Sequence, residues 1–250
     1  MDTFNEIFNQ LILYRSPYNK YRLGKDGDGG YVIVELPDNY DMFLSGGISN
    51  DNTFEIALLD KFKNLQCIAF DGTVENLAQN DLQNRITFIK KNIGNTSNEN
   101  LTNLHEYIIP YDNIFLKLDI EGHEYRLFET FTEELLNKIK QIVIEIHTPF
   151  DIKDFPDYFY GLNNIDENNL LELLQKINKN HTLVHFHANN GCNIKTINNI
   201  QIPHVFECTF IRNDFIKIKE RNKDILPTNL DSPNISDKSE YILSGFPYSF

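Results

Sequence analysis

A chain of 250 residues that is 41% hydrophobic and 12% aromatic can bury a substantial core, which excludes a disordered chain and suits one domain with elaborations. The formal charge of -13 and a pI near 4.9 repel phosphate backbones, so nucleic acid is not an expected partner. Nowhere does an apolar run reach the roughly 18 residues of a membrane helix, so no membrane span is expected.

The first residues, Met1-Asp2-Thr3-Phe4-Asn5-Glu6, are acidic where a signal peptide would be basic. Cys67, Cys192 and Cys208 are scattered without a CxxC pair. Such cysteines fit buried thiols in a reducing compartment, and a cytoplasmic location is expected.

Helical spacing of Phe4, Ile7, Phe8 and Leu11 predicts an amphipathic helix within residues 1–18, stopped by Pro17. A glycine-rich segment, 22–31, follows, and a short strand at 31–35. Gly29 and Gly30 there are candidate cofactor contacts, because glycine permits close backbone approach to a ligand. Strands at 41–44, 66–70, 87–91, 114–118 and 141–146 then alternate with helices at 52–63, 74–83, 101–107 and 124–136. A loop bearing Phe150, Phe155, Tyr158, Phe159 and Tyr160 leads to a helix at 168–178. Strands at 183–187 and 205–210 close the pattern, and the tail at 224–250 shows little periodicity. The alternation implies βαβ units. The expected fold class is α/β: a Rossmann-like, mostly parallel sheet with an antiparallel final strand and helices on both faces. One domain is expected over 1–250, with a helix and glycine segment at 1–40, a core at 41–212 and a wrapping tail at 213–250.

In open α/β sheets, ligands bind beyond the carboxyl ends of the strands. The loop after the first core strand, Ser45-Gly46-Gly47-Ile48, is therefore a candidate cofactor cradle. It is not GxGxxG, which counts against an NAD-linked oxidoreductase. Asp71 ends the second core strand, 25 residues after Gly46, where a carboxylate can accept bonds from ribose hydroxyls. Its other reading is the N-cap of the helix at 74–83. Gly72 beside it, and Asn92 and Ile93 after the third strand, complete the nucleoside side.

The strand Leu116-Lys117-Leu118 runs directly into Asp119-Ile120-Glu121-Gly122-His123-Glu124. Acids at the end of a buried strand are costly unless paired or functional. Asp119 would lie beside the cofactor and its acceptor, and Glu121 is expected to cap the turn.

This segment resembles the "LKiDvEGaE" motif of FkbM-type methyltransferases. Asp28-Gly29-Gly30-Tyr31 is similar to the "DGGY" of a related subgroup, as is 45–54 to that subgroup's first loop. Ile142 to His147 is similar to the family's fifth strand, and Leu230-Asp231-Ser232-Pro233-Asn234 to bacterial members from surface-polysaccharide clusters. The likeness spans about 20–235. The family's usual "GANiG" is here Gly-Gly-Ile-Ser-Asn, a departure within the cofactor loop. The resemblance implies a class I methyltransferase fold, S-adenosylmethionine as methyl donor and a sugar hydroxyl as acceptor, on a nucleotide-activated sugar or a capsule or lipopolysaccharide residue. Lys20, Arg22 and Lys25 are available to meet a nucleotide's phosphates.

A sugar hydroxyl needs a base or a metal to weaken its proton. Glu145 and His147 are two apart on one strand, as are His185 and His187 on another, so each pair shares a face. Asp119, His147 and His187 are the candidate catalytic residues, with His147 as general base. Alternatively, Asp119, Glu145, His147 and His187 would ligate a divalent metal such as Mg, Mn or Fe. Methylation of another small molecule, or a non-catalytic binding protein of this fold, remain alternatives. A homo-oligomer is compatible with all of them.

Overall fold

The computed structural model describes residues 2–79 and 84–250. Helix α1, Thr3–Gln10, is capped by the Asp2 carboxylate, which accepts from the Phe4 amide. It ends well before Pro17, because Leu13 and Tyr14 leave the helix to bond Pro247 and Leu183. A hairpin follows, β1 (Lys20–Leu23) and β2 (Tyr31–Val34), with the glycine-rich segment as its turn.

The core begins with β3 (Met42–Gly46), α2 (Thr53–Lys61) and β4 (Cys67–Phe70). Residues 74–79 hold bends in place of the expected helix, whose remainder at 80–83 lies outside the described residues. Asn52 fastens that segment through two bonds to the Gln79 backbone. Next come β5 (Ile86–Ile89), the short pair β6 (Asn92–Ile93) and β7 (Leu101–Thr102), and α3 (His105–Ile108). β8 (Ile114–Leu118) precedes two helices, α4 (Glu124–Thr130) and α5 (Glu133–Asn137), where one was expected. Thr132 breaks the run, because its hydroxyl accepts from the Leu135 amide and starts α5 afresh.

β9 (Ile139–His147) leads through Thr148 into α6 (Pro149–Asp154), which occupies the start of the expected aromatic loop. Pro149 at the first helical position favours that start. α7 (Glu167–Asn180), opened by an Asp166–Asn169 capping box, and β10 (His181–Ala188) come next. A small hairpin, β11 (Ile194–Ile197) and β12 (Ile200–Pro203), separates β10 from β13 (Val205–Arg212).

Seven strands form one sheet in the order β10-β13-β9-β8-β3-β4-β5. All neighbours run parallel except β13, which is antiparallel to both β9 and β10. The fold is thus Rossmann-like, with its antiparallel final strand inserted beside the edge. Every residue of β8 and β9 is buried, as a sheet covered on both faces requires. Strand alternation divides the core. Leu44, Leu116 and Ile142 stand in register on one face, in a cluster that also includes Ile7 and Tyr248. Phe43 and Phe115 face the other way, onto Phe54 of α2 and Tyr31 of the hairpin. The chain moves one way from β3 to β5 and the other way from β8 to β9. The carboxyl ends of β3 and β8 therefore diverge at the switch point, where such sheets open a crevice. Among the described residues, no helix is long and apolar enough to cross a membrane.

Candidate active site

A cavity of about 450 Å³ opens at that switch point. Gly47, Asp71, Asn92, Ile93 and Asp119 line it, as do Lys91, Glu121 and the aromatic residues Tyr158, Phe159 and Tyr160. Five sequence-selected residues from four separate segments thus meet around one space.

The loop after β3 is locked by its glycine. Gly47 has φ +72°, and a Cβ there would lie 1.6 Å from the Asp119 carbonyl oxygen. Asp119 in turn donates its amide to the Gly46 carbonyl at 3.1 Å. Beneath the loop lies a buried polar network. Lys117 Nζ donates to the Gly47 carbonyl at 2.6 Å, and Ser45 donates its hydroxyl to Glu55 at 2.5 Å.

Ser45 and Ile48 therefore face the core and do not line the cavity. Gly46 is also withdrawn from it, since a Cβ there would strike Ile93. Gly72 packs against the Asn92 amide, to which it donates at 3.1 Å. Gly29 and Gly30 pack on Lys25, Asp51 and Arg22 in the hairpin turn and stand outside the cavity lining. The glycines of that turn meet a backbone need, which composition does not distinguish from ligand contact.

Asp71 holds two neighbouring segments together. One oxygen accepts the Ser49 amide at 2.8 Å, and the other accepts the Thr73 amide and hydroxyl at 2.7 and 2.6 Å. With only bends at 74–79, it caps no helix there. A carboxylate offers about four acceptor positions, so Asp71 can still take a hydroxyl from the cavity side.

Asp119 accepts the Tyr31 hydroxyl at 2.6 Å and lies 3.9 Å from Lys117 Nζ. The resulting polar end of the cavity is crowded with carboxylates. His147 Nδ1 meets Asp151 at 2.8 Å, while Nε2 lies 3.3 Å from both Glu121 and Glu145. Burial alone would lower the imidazole pKa. The Asp151 and Glu145 carboxylates outweigh burial and hold it well above the usual value. Burial first, then the charge of Asp119, pushes Glu145 up to about 8. Glu121 is raised by burial despite His147, and its φ of +55° is strained backbone for a non-glycine residue.

The expected capping role of Glu121 belongs instead to Glu124, whose carboxylate accepts the Ile120 amide at 2.8 Å. Burial raises Glu124 to about 7. Glu121 is thereby free to face His147 and Tyr158. Asp151 and Tyr31 were not selected from the sequence, whereas Glu121 was expected only to cap the turn and Tyr158 only to belong to the aromatic loop. The detectable signal for Asp151 is its position four residues after His147, one turn into α6.

His187 is not brought to this cluster. Its ring nitrogens lie 3.3 Å from Glu207 and 3.2 Å from Glu240, and although burial opposes it, those carboxylates raise its pKa to about 10. Glu207 also accepts from Asn234 at 2.8 Å, so His187 braces the C-terminal tail. His185 is likewise engaged, with Asp231 at 2.7 Å. The basic residues near the glycine segment are engaged as well. Lys20 donates to the Val184 carbonyl, Arg22 to the Gly27 carbonyl, and Lys25 pairs with Asp51 at 2.7 Å.

No family model matches this chain, and no curated protein matches its sequence. Several solved structures resemble it in outline. Fibrillarin from Methanococcus jannaschii, a pre-rRNA processing protein, is 12% identical, covering 72% of this chain and 70% of its own, with a TM-score of 0.40. A precorrin-6y C5,15-methyltransferase from Geobacter metallireducens is 12% identical over 71% of this chain and 82% of its own, with a TM-score of 0.38. The plantazolicin methyltransferase BpumL, in complex with SAH, is 16% identical over 68% and 75%, with a TM-score of 0.37.

Proposed function

We propose that this chain is an S-adenosylmethionine-dependent O-methyltransferase of FkbM-like type, a single cytoplasmic domain acting on a sugar hydroxyl. The observation that carries this reading is the convergence of Asp71, Gly47 and Asp119 on one cavity. Asp71 stands where a ribose would be bound, with acceptor capacity to spare. Asn92 and Ile93 flank the position of adenine, and the methionine part would lie along Gly47 toward Asp119.

Bound S-adenosylmethionine supplies a methyl group on a positively charged sulfur. The acceptor oxygen must approach that methyl in line, at roughly 3 Å. The new bond is oxygen to methyl, the broken bond is sulfur to methyl, and the broken bond's electrons remain on sulfur. The hydroxyl proton leaves toward the carboxylates at the polar end of the cavity. Tyr158 and Tyr160, 66% and 86% exposed, offer aromatic faces for a sugar ring at the cavity mouth.

A sugar residue without a nucleotide fits better than a nucleotide-activated sugar. Among the described lining residues, Lys91 is the one lysine or arginine, and Lys20, Arg22 and Lys25 are bonded elsewhere. Surface-polysaccharide modification is the pathway class consistent with such an acceptor.

Calorimetric titration with S-adenosylhomocysteine and, separately, NADH tests the reading. Binding of the first and not the second is expected. Failure to bind S-adenosylhomocysteine would overturn it.

A further inference from the structure

Asp119, Glu145 and His147 each place a ligand atom within 4.8 Å of the others. They come from the ends of two adjacent parallel strands, β8 and β9. His147 is only 7% exposed, and its Nε2 has no hydrogen-bond partner among the described residues. That nitrogen points at carboxylate oxygens of Glu145 and Glu121, 3.3 Å away. A buried nitrogen set among carboxylate oxygens needs positive charge between the groups, which a proton or a metal cation can supply.

We propose that Asp119, Glu145 and His147 form a divalent-cation site of the Mn²⁺ and Mg²⁺ class, with Asp151 as the residue that orients the imidazole. The Asp151–His147 pair has the form in which a carboxylate fixes the tautomer of a metal-bound histidine. Two carboxylates and one imidazole suit Mn²⁺, Fe²⁺ or Mg²⁺ better than a thiolate-seeking ion. Asp119 and Glu121 also line the cofactor cavity, so the ion's open positions would face the acceptor. A coordinated sugar hydroxyl loses its proton more readily, and the ion would offset the crowded negative charge of Asp119, Glu121 and Glu145. Sequence spacing included His187 in the ligand set, whereas the fold removes it to Glu207 and Glu240. The catalytic role given to the ion rests on the methyltransferase reading; the binding of the ion does not.

The test uses the full chain stripped with EDTA and titrated with Mn²⁺ alone, followed by calorimetry and electron paramagnetic resonance. One ion per chain is expected. Glu145→Gln should abolish binding, and Asp151→Asn should weaken it by about 10- to 100-fold. Glu240→Gln, on the His187 cluster, should leave it unchanged. S-adenosylhomocysteine is titrated in parallel into each variant, which also reports whether the variant is folded. Absence of Mn²⁺ binding to the wild-type chain at millimolar concentration overturns the site. Equal Mn²⁺ affinity in wild type, Glu145→Gln and Asp151→Asn does so too. S-adenosylhomocysteine binding without Mn²⁺ binding would sink the metal site and leave the methyltransferase reading standing; the reverse result would do the opposite.

Discussion

The two ends of the cavity are built on different principles. At the Asp71 end, backbone and glycine geometry dominate: Gly47 nests against the Asp119 carbonyl, and Asp71 is held by the Ser49 and Thr73 amides. At the His147 end, side chains dominate. Carboxylates from the turn after β8, from β9 and from α6 surround one imidazole, while β10, β13 and the tail are tied by separate His–carboxylate pairs. A backbone site tolerates few side-chain changes at its turns and is set by local sequence. A charge-crowded site depends on which distant residues the sheet brings together.

The strongest challenge to this contrast is Gly47→Ala. The added Cβ meets a backbone atom at 1.6 Å in a positive-φ residue, so nothing flexible can yield. A loss of about 3 kcal/mol or more in stability is expected by chemical denaturation. An unchanged denaturation midpoint would show that the two loops do not interlock.

Asp71→Ala should weaken S-adenosylhomocysteine binding by about 1.5–3 kcal/mol, the scale of hydrogen bonds to a charged group. Calorimetry reads this directly, and an unaltered dissociation constant removes Asp71 from the ribose. At the other end, His147→Ala should depress turnover far more than cofactor affinity. If both fall together, the two ends are not separable.

A smaller effect concerns the tail. Burial opposes ionisation of Asp231, yet His185 and the Thr228 amide hold its carboxyl well below the ordinary value. Burial lowers the pKa of His185, which argues for a neutral imidazole. The two shifts are compatible if neutral His185 donates Nε2–H to an ionised Asp231, and the three donors on that carboxylate favour this state. A depressed folded-state pKa stabilises the protein above the unfolded value of about 4, and this contribution is lost as pH falls below it. Asp231→Asn should therefore flatten the acid side of the stability curve between about pH 4 and 2. A wild-type acid slope in that variant would refute the assignment.

The smallest effect is expected at the cavity mouth. Tyr160→Ala should raise KM for the acceptor several-fold with S-adenosylhomocysteine affinity unchanged. Steady-state kinetics that leave KM unmoved would deny the aromatic platform.

Much of the core was legible because local patterning encodes it. The apolar run Ile114–Leu118 is read from composition alone, and the strands ending at Gly46 and Phe70 announce the residues that follow them. Asp71 and Asp119 could be selected for that reason: each acid stands immediately after a mostly buried strand. Less was legible where tertiary contacts compete with local preference. Residues 74–79 are drawn out of a helix by the Asn52–Gln79 bonds, and α4 and α5 divide at Thr132. Between Glu121 and Glu124, both near the same turn, no local rule decides which caps it and which faces His147.

By itself, then, the sequence determined the alternation of strands and helices, the glycine turn after β3, and the acids at the ends of β4 and β8. These depend on neighbours within a few residues. Only the tertiary structure decided that Asp151 would join His147, that His187 would brace the tail, and that Ser45 and Ile48 would turn into the core. The reason lies in sheet order: inserting β13 between β9 and β10 sets His187 two strands from His147, a separation that no spacing along the chain records.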